Sequence, residues 1–188
     1  MTLGARFNTG TKAHGYSAAL QWRVPSMIRD FQPADFEALW RIDQDCFAPG
    51  ISYSRAELRY YMRRRGSFTL VAAAAGGEIA GFIVAYAGKP GHIITIDVVA
   101  AARRSGVGSE LLRAAEERLL ATGSGTVTLE TAVDNVSALS FYKRHGYSVV
   151  KALPHYYSNG VDALVLTKEL RRQSPGNNFG LRSPSVSS

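Results

Sequence analysis

From position 27 the chain switches repeatedly between helical and strand periods in its apolar residues. Phe36, Leu39, Trp40, Asp43 and Phe47 recur at helical spacing behind Pro33, a residue suited to a first turn, so a helix is predicted over 33–47. Asp35 and Glu37 suit its N-terminal end. Beyond Pro49 and Gly50, Ser54 and Glu57 form a capping-box pair for a second helix that runs to the arginines 63–65, where a helix C-terminus favours cations. Two apolar runs, 68–75 and 78–86, flank Gly76 and Gly77, the signature of a two-residue hairpin. A third run from His92 to Val99 adds an adjacent strand.

At Gly106 the period lengthens again. Val107, Leu111, Leu112, Ala115 and Leu119 mark a helix that ends at Gly123. A strand over 126–132 alternates Val127 and Leu129 with Thr126, Thr128 and Glu130, and a helix from Asn135 to His145 is closed by Gly146. Two strands near 147–152 and 161–168 complete the order. The fold class is α/β (α+β): a mixed sheet covered by about four helices, not a purely parallel one.

Composition narrows the setting. At 188 residues and 46% hydrophobic, the chain suits one globular domain, placed at 27–170. Residues 1–26 are expected to be a disordered or leader segment, and 171–188 a disordered tail. No apolar stretch approaches the roughly 18 residues of a membrane span, so a cytoplasmic location without membrane association is expected. The single Cys46 cannot form an internal disulfide, and histidines at 14, 92, 145 and 155 give no Cys/His zinc pattern. Metal-free chemistry follows. The formal charge of +7 invites a nucleic-acid partner, but 1–26 and 171–188 each carry three bases and no acid, leaving 16 bases against 15 acids between them. A specific nucleic-acid partner is therefore not expected.

The most informative stretch runs from a strand through Arg103, Arg104, Ser105, Gly106, Val107 and Gly108 directly into a helix. Small residues there admit a close ligand, and the helix-start N–H groups favour a phosphate. Leu111 occupies the third glycine position of a dinucleotide fingerprint, and no phosphate-loop motif occurs. These glycines alone serve equally well as a tight strand-to-helix turn. Asn135 and Tyr142, seven residues apart on one helix, share a face and break the tie.

With that pair in place the sequence strongly resembles the GNAT superfamily of acyl-CoA-dependent N-acetyltransferases, whose cradle of Arg/Gln-x-x-Gly-x-Gly/Ala corresponds to Arg103, Gly106 and Gly108. The resemblance covers essentially all of 27–170. It implies a mostly antiparallel sheet splayed in the middle, with acetyl-CoA as co-substrate lying along the strand that ends at Val98 and Val99. Backbone amides from Arg104 to Ser109 would hold the pyrophosphate, and Asn135 the pantetheine arm or its own helix cap. Amides near Val98 and Val99 would steady the oxyanion.

Tyr142 would face the thioester sulfur as acid, against the alternative of a core aromatic. Glu130, in a Leu-Glu-x-x-x-x-Asn setting, matches the glutamate of RimI-type ribosomal-protein alanine N-acetyltransferases and would act as base through a water; otherwise it is a solvated strand residue. Tyr156 and Tyr157, in a Tyr-Tyr-x-x-Gly-x-Asp-Ala segment, resemble the substrate wall of such enzymes, with Tyr53 opposite. The implied partner is a protein or peptide N-terminus, a ribosomal protein among the candidates. Small-amine acetylation and a cofactor-binding regulatory module without turnover are the alternatives. Cys46 falls outside the motifs, which disfavours an acetyl-cysteine step, and Lys143 and Arg63–Arg65 read as solvated charge.

Overall fold

The computed structural model describes residues 27–47, 52–74 and 76–171. Seven strands form one sheet: β1 (Met27–Asp30), β2 (Ser67–Ala73), β3 (Ile79–Tyr86), β4 (Gly91–Val98), β5 (Thr126–Ala132), β6 (Ser148–Leu153) and β7 (Ala163–Glu169). Four α-helices cover it: α1 (Phe36–Cys46), α2 (Arg55–Arg63), α3 (Val107–Ala121) and α4 (Val136–Arg144). The strand order is β1-β2-β3-β4-β5-β7-β6, antiparallel throughout except where β4 meets β5. The mixed, mostly antiparallel sheet with four helices matches the expected class. The leader expected at 1–26 and the tail from 172 onward lie outside the described residues.

The continuous apolar runs of β2, β3 and β4 exist because both faces of that half-sheet are covered. Neighbouring residues point to opposite sides: Val71, Phe82, Val84 and Ile94 join Leu39 and Leu58 of the α1–α2 layer, while Leu70, Ile83, Ile93 and Ile96 join Leu111, Leu112 and Leu119 of α3. Each such buried aliphatic side chain contributes roughly 1.5–3 kcal/mol. Every apolar position expected on α3 is buried. The capping box holds as well: Ser54 Oγ accepts from Glu57 N at 3.2 Å, and Glu57 Oε2 accepts from Ser54 N at 2.9 Å.

Two features differ from expectation. β1 is an extra edge strand; its four residues, exposed at both ends, carry too short a pattern to announce it. β2 ends at Ala73 and β3 opens at Ile79, so the strands are joined by more than a two-residue turn, with Ala74 N donating to Glu78 O at 2.8 Å and Gly77 N to Ala74 O at 2.9 Å. Gly77, at φ +85°, supplies the left-handed step.

Pro33 opens a short 3-10 turn, Pro33–Asp35, that leads into α1 and is tied to β1 by charge. Arg29 donates to both Asp35 carboxylate oxygens, at 2.7 and 2.9 Å, and Gln32 N donates at 2.7 Å. The guanidinium bond holds the Asp35 carboxyl below its usual range, against the opposing effect of burial. A depressed folded pKa stabilises above the unfolded value of ~3.9 and is lost as pH falls through the folded value. Asp35→Asn is therefore expected to cost about 1–2 kcal/mol at pH 7. In urea melts the gap to wild type should narrow as pH is taken below about 4; a gap constant down to pH 2 would contradict it.

Candidate active site

The site begins where the sheet comes apart. β4 and β5 run parallel and pair at Gly91 with Val127 and at His92 with Thr128, after which no further register pair joins them. β4 thus continues to Val98 with β3 on one edge and an open fork on the other. Val99 N donates to Ala80 O at 2.9 Å, so that amide is spent on β3. Successive peptide groups alternate along a strand, which turns the Val98 N–H toward the fork. Of the two amides expected at the oxyanion, Val98 N thus faces the fork and Val99 N faces β3.

The chain then passes through a short 3-10 turn, Ala100–Ala102, into the glycine-rich loop. Arg104 and Gly106 both have left-handed backbones, φ +64° and +101°, and Gly106 is the N-cap of α3. Alternating handedness of this kind turns successive N–H groups into one concavity, and the α3 dipole adds to it. For a residue with a side chain, such as Arg104, that conformation costs roughly 1–2 kcal/mol. A groove of about 650 Å³ opens beside the loop, and the expected residues Val98, Arg103, Arg104, Gly106, Gly108 and Ser109 line it. Ser137, Phe141 and Arg144 of α4 form the facing side. The groove's α4 cation is Arg144, whereas Lys143, read from the sequence as solvated charge, does not line it.

Three expected cradle residues have side chains that turn elsewhere. Val107 is in the core, Ser105 Oγ donates to Ala102 O at 2.6 Å, and Asn135 Oδ1 accepts from Ala138 N at 3.1 Å as the cap of α4. Val107 and Ser105 can serve the groove through their backbones alone. Ser109 Oγ lies 3.0 Å from His145 Nε2, whose Nδ1 lies 2.8 Å from Phe141 O.

At the fork, Glu130 is not the solvated strand residue of the alternative reading, because its side chain is 13% exposed. Its Oε2 lies 3.2 Å from His92 Nε2, within ion-pair range though not aligned as a hydrogen bond, and His92 Nδ1 sits 3.1 Å from Thr128 Oγ1. The registered pair of His92 and Thr128 places the two residues across the last rung before the strands part. Tyr142 is fully buried, with Ile96 and Val98 of β4 and Leu129 of β5 in the same cluster. Burial, followed by the fields of Asp97 and Tyr157, pushes its phenol well above the ordinary tyrosine range, so it stays protonated.

The three tyrosines expected at the acceptor wall lie in two loops. Tyr53, only 2% exposed, packs on Tyr61 with ring centroids 5.1 Å apart. Its loop is pinned by α1: Tyr53 N donates to Asp43 Oδ2 at 2.7 Å, and Tyr53 O accepts from Gln44 Nε2 at 2.9 Å and Trp40 Nε1 at 3.2 Å. From the β6–β7 loop, Tyr156 and Tyr157 meet edge to face at 5.2 Å. Tyr156 is pushed up by burial first, then by the charge of Glu130 and by Tyr157, Tyr53 and Tyr61. Tyr156, in the β6–β7 loop, therefore lies within electrostatic reach of both Glu130 and the Tyr53–Tyr61 pair.

Residues 36–147 match the Acetyltransferase (GNAT) family. The chain belongs to the GNAT acetyltransferase family. An N-alpha-acetyltransferase of Sulfurisphaera tokodaii is 37% identical over 83 residues, which are 44% of this chain and 50% of that relative. The match thus spans about half of the relative's length. Among solved structures, Ard1 from Thermoplasma volcanium aligns with a TM-score of 0.72 and 30% identity over 79% of this chain and 100% of that one. The ribosomal-protein-S18-alanine N-acetyltransferase from Escherichia coli, at TM-score 0.69 and 21% identity over 82% of this chain and 98% of that one, shares the fold.

GNAT enzymes use acetyl-CoA, and the cradle, groove and open β4 edge of this chain fit an extended, anionic co-substrate. Sequence reasoning missed His92, Tyr61, Arg144 and the buried Asp97. His92 carried a signal in hindsight: it opens the strand that meets the Glu130 strand. Cys46, which falls outside the motifs, is in contact with the Val98 carbonyl and Arg103. Burial, then the Asp97 charge, raises its thiol to about 12, so it is no nucleophile at neutral pH.

Gly108 tests the GNAT groove directly. A Cβ there would meet Phe141 ring atoms at 3.6 and 3.7 Å and Val98 Cγ2 at 3.7 Å, ordinary contacts. Gly108→Ala is expected to keep KM for acetyl-CoA within about threefold, whereas Gly108→Leu, filling the groove, should raise it more than about tenfold. Equal KM values for the two variants would remove this wall from the binding site.

Proposed function

We propose that this GNAT chain transfers acetyl from acetyl-CoA to the α-amine of a protein or peptide N-terminus, by direct attack of the amine on the thioester. The observation that carries the reading is the largely buried Glu130 beside His92, where β4 and β5 part, with Tyr156 within its electrostatic reach. An α-amine of pKa ~8 is roughly one-tenth neutral at pH 7, whereas a lysine amine is neutral in under about one part in a thousand. A modest base therefore suffices for an N-terminus.

In this reading the Arg104–Ser109 amides hold the pyrophosphate, with Arg144 adding positive charge. Asn135, besides its cap, offers its amide to the pantetheine arm. Glu130, with His92 as its neighbour, draws a proton from the incoming ammonium through a water. The neutral nitrogen then attacks the carbonyl carbon, and the Val98 N–H stabilises the oxygen as it gains charge. The C–S bond breaks as the nitrogen gives up its second proton, and Tyr142 hydrogen-bonds the departing thiolate and passes it a proton that the one from nitrogen replaces. Tyr156 and Tyr157, with Tyr53 behind them, hold the peptide's first residues. The name of the Sulfurisphaera relative supports an α-amine acceptor. A ribosomal protein as that acceptor, and the cytoplasm as the place of work, are the finer parts of the proposal.

The test is to incubate the chain with acetyl-CoA, peptides with free N-termini, N-terminally blocked peptides containing lysine, and small amines, and to look for the acetyl mass gain. Gain confined to free peptide N-termini is expected. Gain confined to small amines would overturn the substrate class, and none with any amine would favour a binding module.

A further inference from the structure

Arg103 occupies the first position of the cradle motif, where the family resemblance makes it a cofactor contact, yet its guanidinium faces back into the protein. Its Nε donates to Val98 O at 3.1 Å, and its Nη2 lies 3.5 Å from Cys46 Sγ. Cys46 Sγ in turn lies 3.5 Å from the same Val98 carbonyl. One side chain thereby joins the end of β4, the end of α1 and the start of the glycine-rich loop. Arg104, next in sequence, is exposed and has no such inward bond among those described.

The reason lies in the fork. The N–H and C=O of one strand residue point to the same edge, so with Val99 N on Ala80, both polar groups of Val98 face the side where β5 is absent. In a continuous sheet a neighbouring strand would take both. Here the carbonyl is capped from the side by Arg103 and Cys46, which leaves the Val98 N–H as the donor presented to the fork. A buried carbonyl left without a donor costs about 1–3 kcal/mol; Val99 N on Ala80 O holds this peptide from the β3 side, and the Arg103 cap satisfies its carbonyl on the fork side.

We propose that Arg103 is a positioning residue: it stands in for the missing β5 ladder partner, capping the Val98 carbonyl so that the Val98 amide is held toward the thioester oxygen, and it is not a phosphate ligand. This rests on the acetyltransferase reading above. Lysine cannot replace it, because a point charge lacks the Nε–H and Nη2 fork that spans carbonyl and thiol together.

The experiment compares wild type, Arg103→Lys and Arg103→Ala with two donors: acetyl-CoA, and S-acetylpantetheine, which has no phosphate. CoA affinity is measured separately by calorimetry. For the positioning role, kcat/KM with both donors should fall by the same factor, about tenfold or more but short of the ~10²–10³ of a deleted oxyanion donor, through kcat with acetyl-CoA. The Kd for CoA should stay within about threefold. A Kd weakened tenfold with S-acetylpantetheine turnover untouched would make Arg103 a phosphate ligand and overturn the proposal, as would unchanged kinetics with both donors. Should neither variant fold, the wild-type Arg103 Nε–H resonance decides: little movement on adding CoA is expected, and a large shift overturns the idea. Loss of the underlying reading is distinguishable, since it would appear as a wild type that binds CoA and acetylates nothing.

Discussion

Replacing Tyr142 by Phe is expected to lower kcat by about 10²-fold or more while leaving CoA affinity within about threefold. The ring is wholly buried and packs edge to face on Phe141 and Tyr147, at 5.2 and 5.4 Å between centroids, and Phe preserves those contacts. What is removed is one hydroxyl. Burial disfavours the phenolate, so the group is protonated across any practical assay range and contributes no falling limb to the pH–rate profile below pH 10. A thiolate leaving group, with a thiol pKa near ~8.5, meets a phenol that holds its proton more tightly than it would in water. Stabilisation therefore comes chiefly from a strong hydrogen bond to sulfur as charge develops, with proton delivery completing as the thiol leaves. Rapid-quench kinetics and calorimetric CoA binding separate the parts. An unchanged kcat in a folded variant would remove Tyr142 from the chemistry.

Glu130→Gln should have a comparable effect through the other proton. The expected loss in kcat/KM is about 10²–10³-fold for peptide acceptors, with thermal stability nearly unchanged. Gln keeps the volume but cannot take a proton. His92→Gln is expected to lose less, because its ring works beside the carboxylate 3.2 Å away. The double variant should lose less than the product of the two single losses, as expected for groups that act as a unit. Fully multiplicative losses would mean that His92 and Glu130 act independently. Equal losses for peptides and for an amine of pKa near 6, already neutral at pH 7, would argue against proton removal as the role of Glu130.

Much of this fold is written in local periodicity. The α3 residues Val107, Leu111, Leu112, Ala115 and Leu119 lie on a single face and are all buried, and the Ser54–Glu57 pair caps α2. β5 keeps its alternation, with Val127, Leu129 and Thr131 inside. β1 escaped because four residues, two of them charged, carry almost no pattern. The cradle was legible through glycine, since a φ of +101° at Gly106 is a backbone demand that shows in residue choice. Contacts between distant segments were not legible. The approach of His92 to Glu130 depends on a parallel pairing 36 residues apart, and the inward turn of Arg103 depends on α1 ending against β4. Two adjacent arginines look alike in a sequence; only the surroundings separate a clamp from a surface charge.

The two-pair junction of β4 with β5 also bears on how such a protein changes over time. Backbone ladders do not set the aperture of the fork, because few span it. Its width is set by the side chains that fill it, Tyr142, Phe141 and Tyr147 with Val98 and Leu129, all of which belong to one hydrophobic cluster. A substitution within that wedge can re-space the two walls by fractions of an ångström while each half-sheet keeps every one of its own ladder bonds. Acceptor preference in this architecture is therefore open to drift through interior residues that never touch the amine.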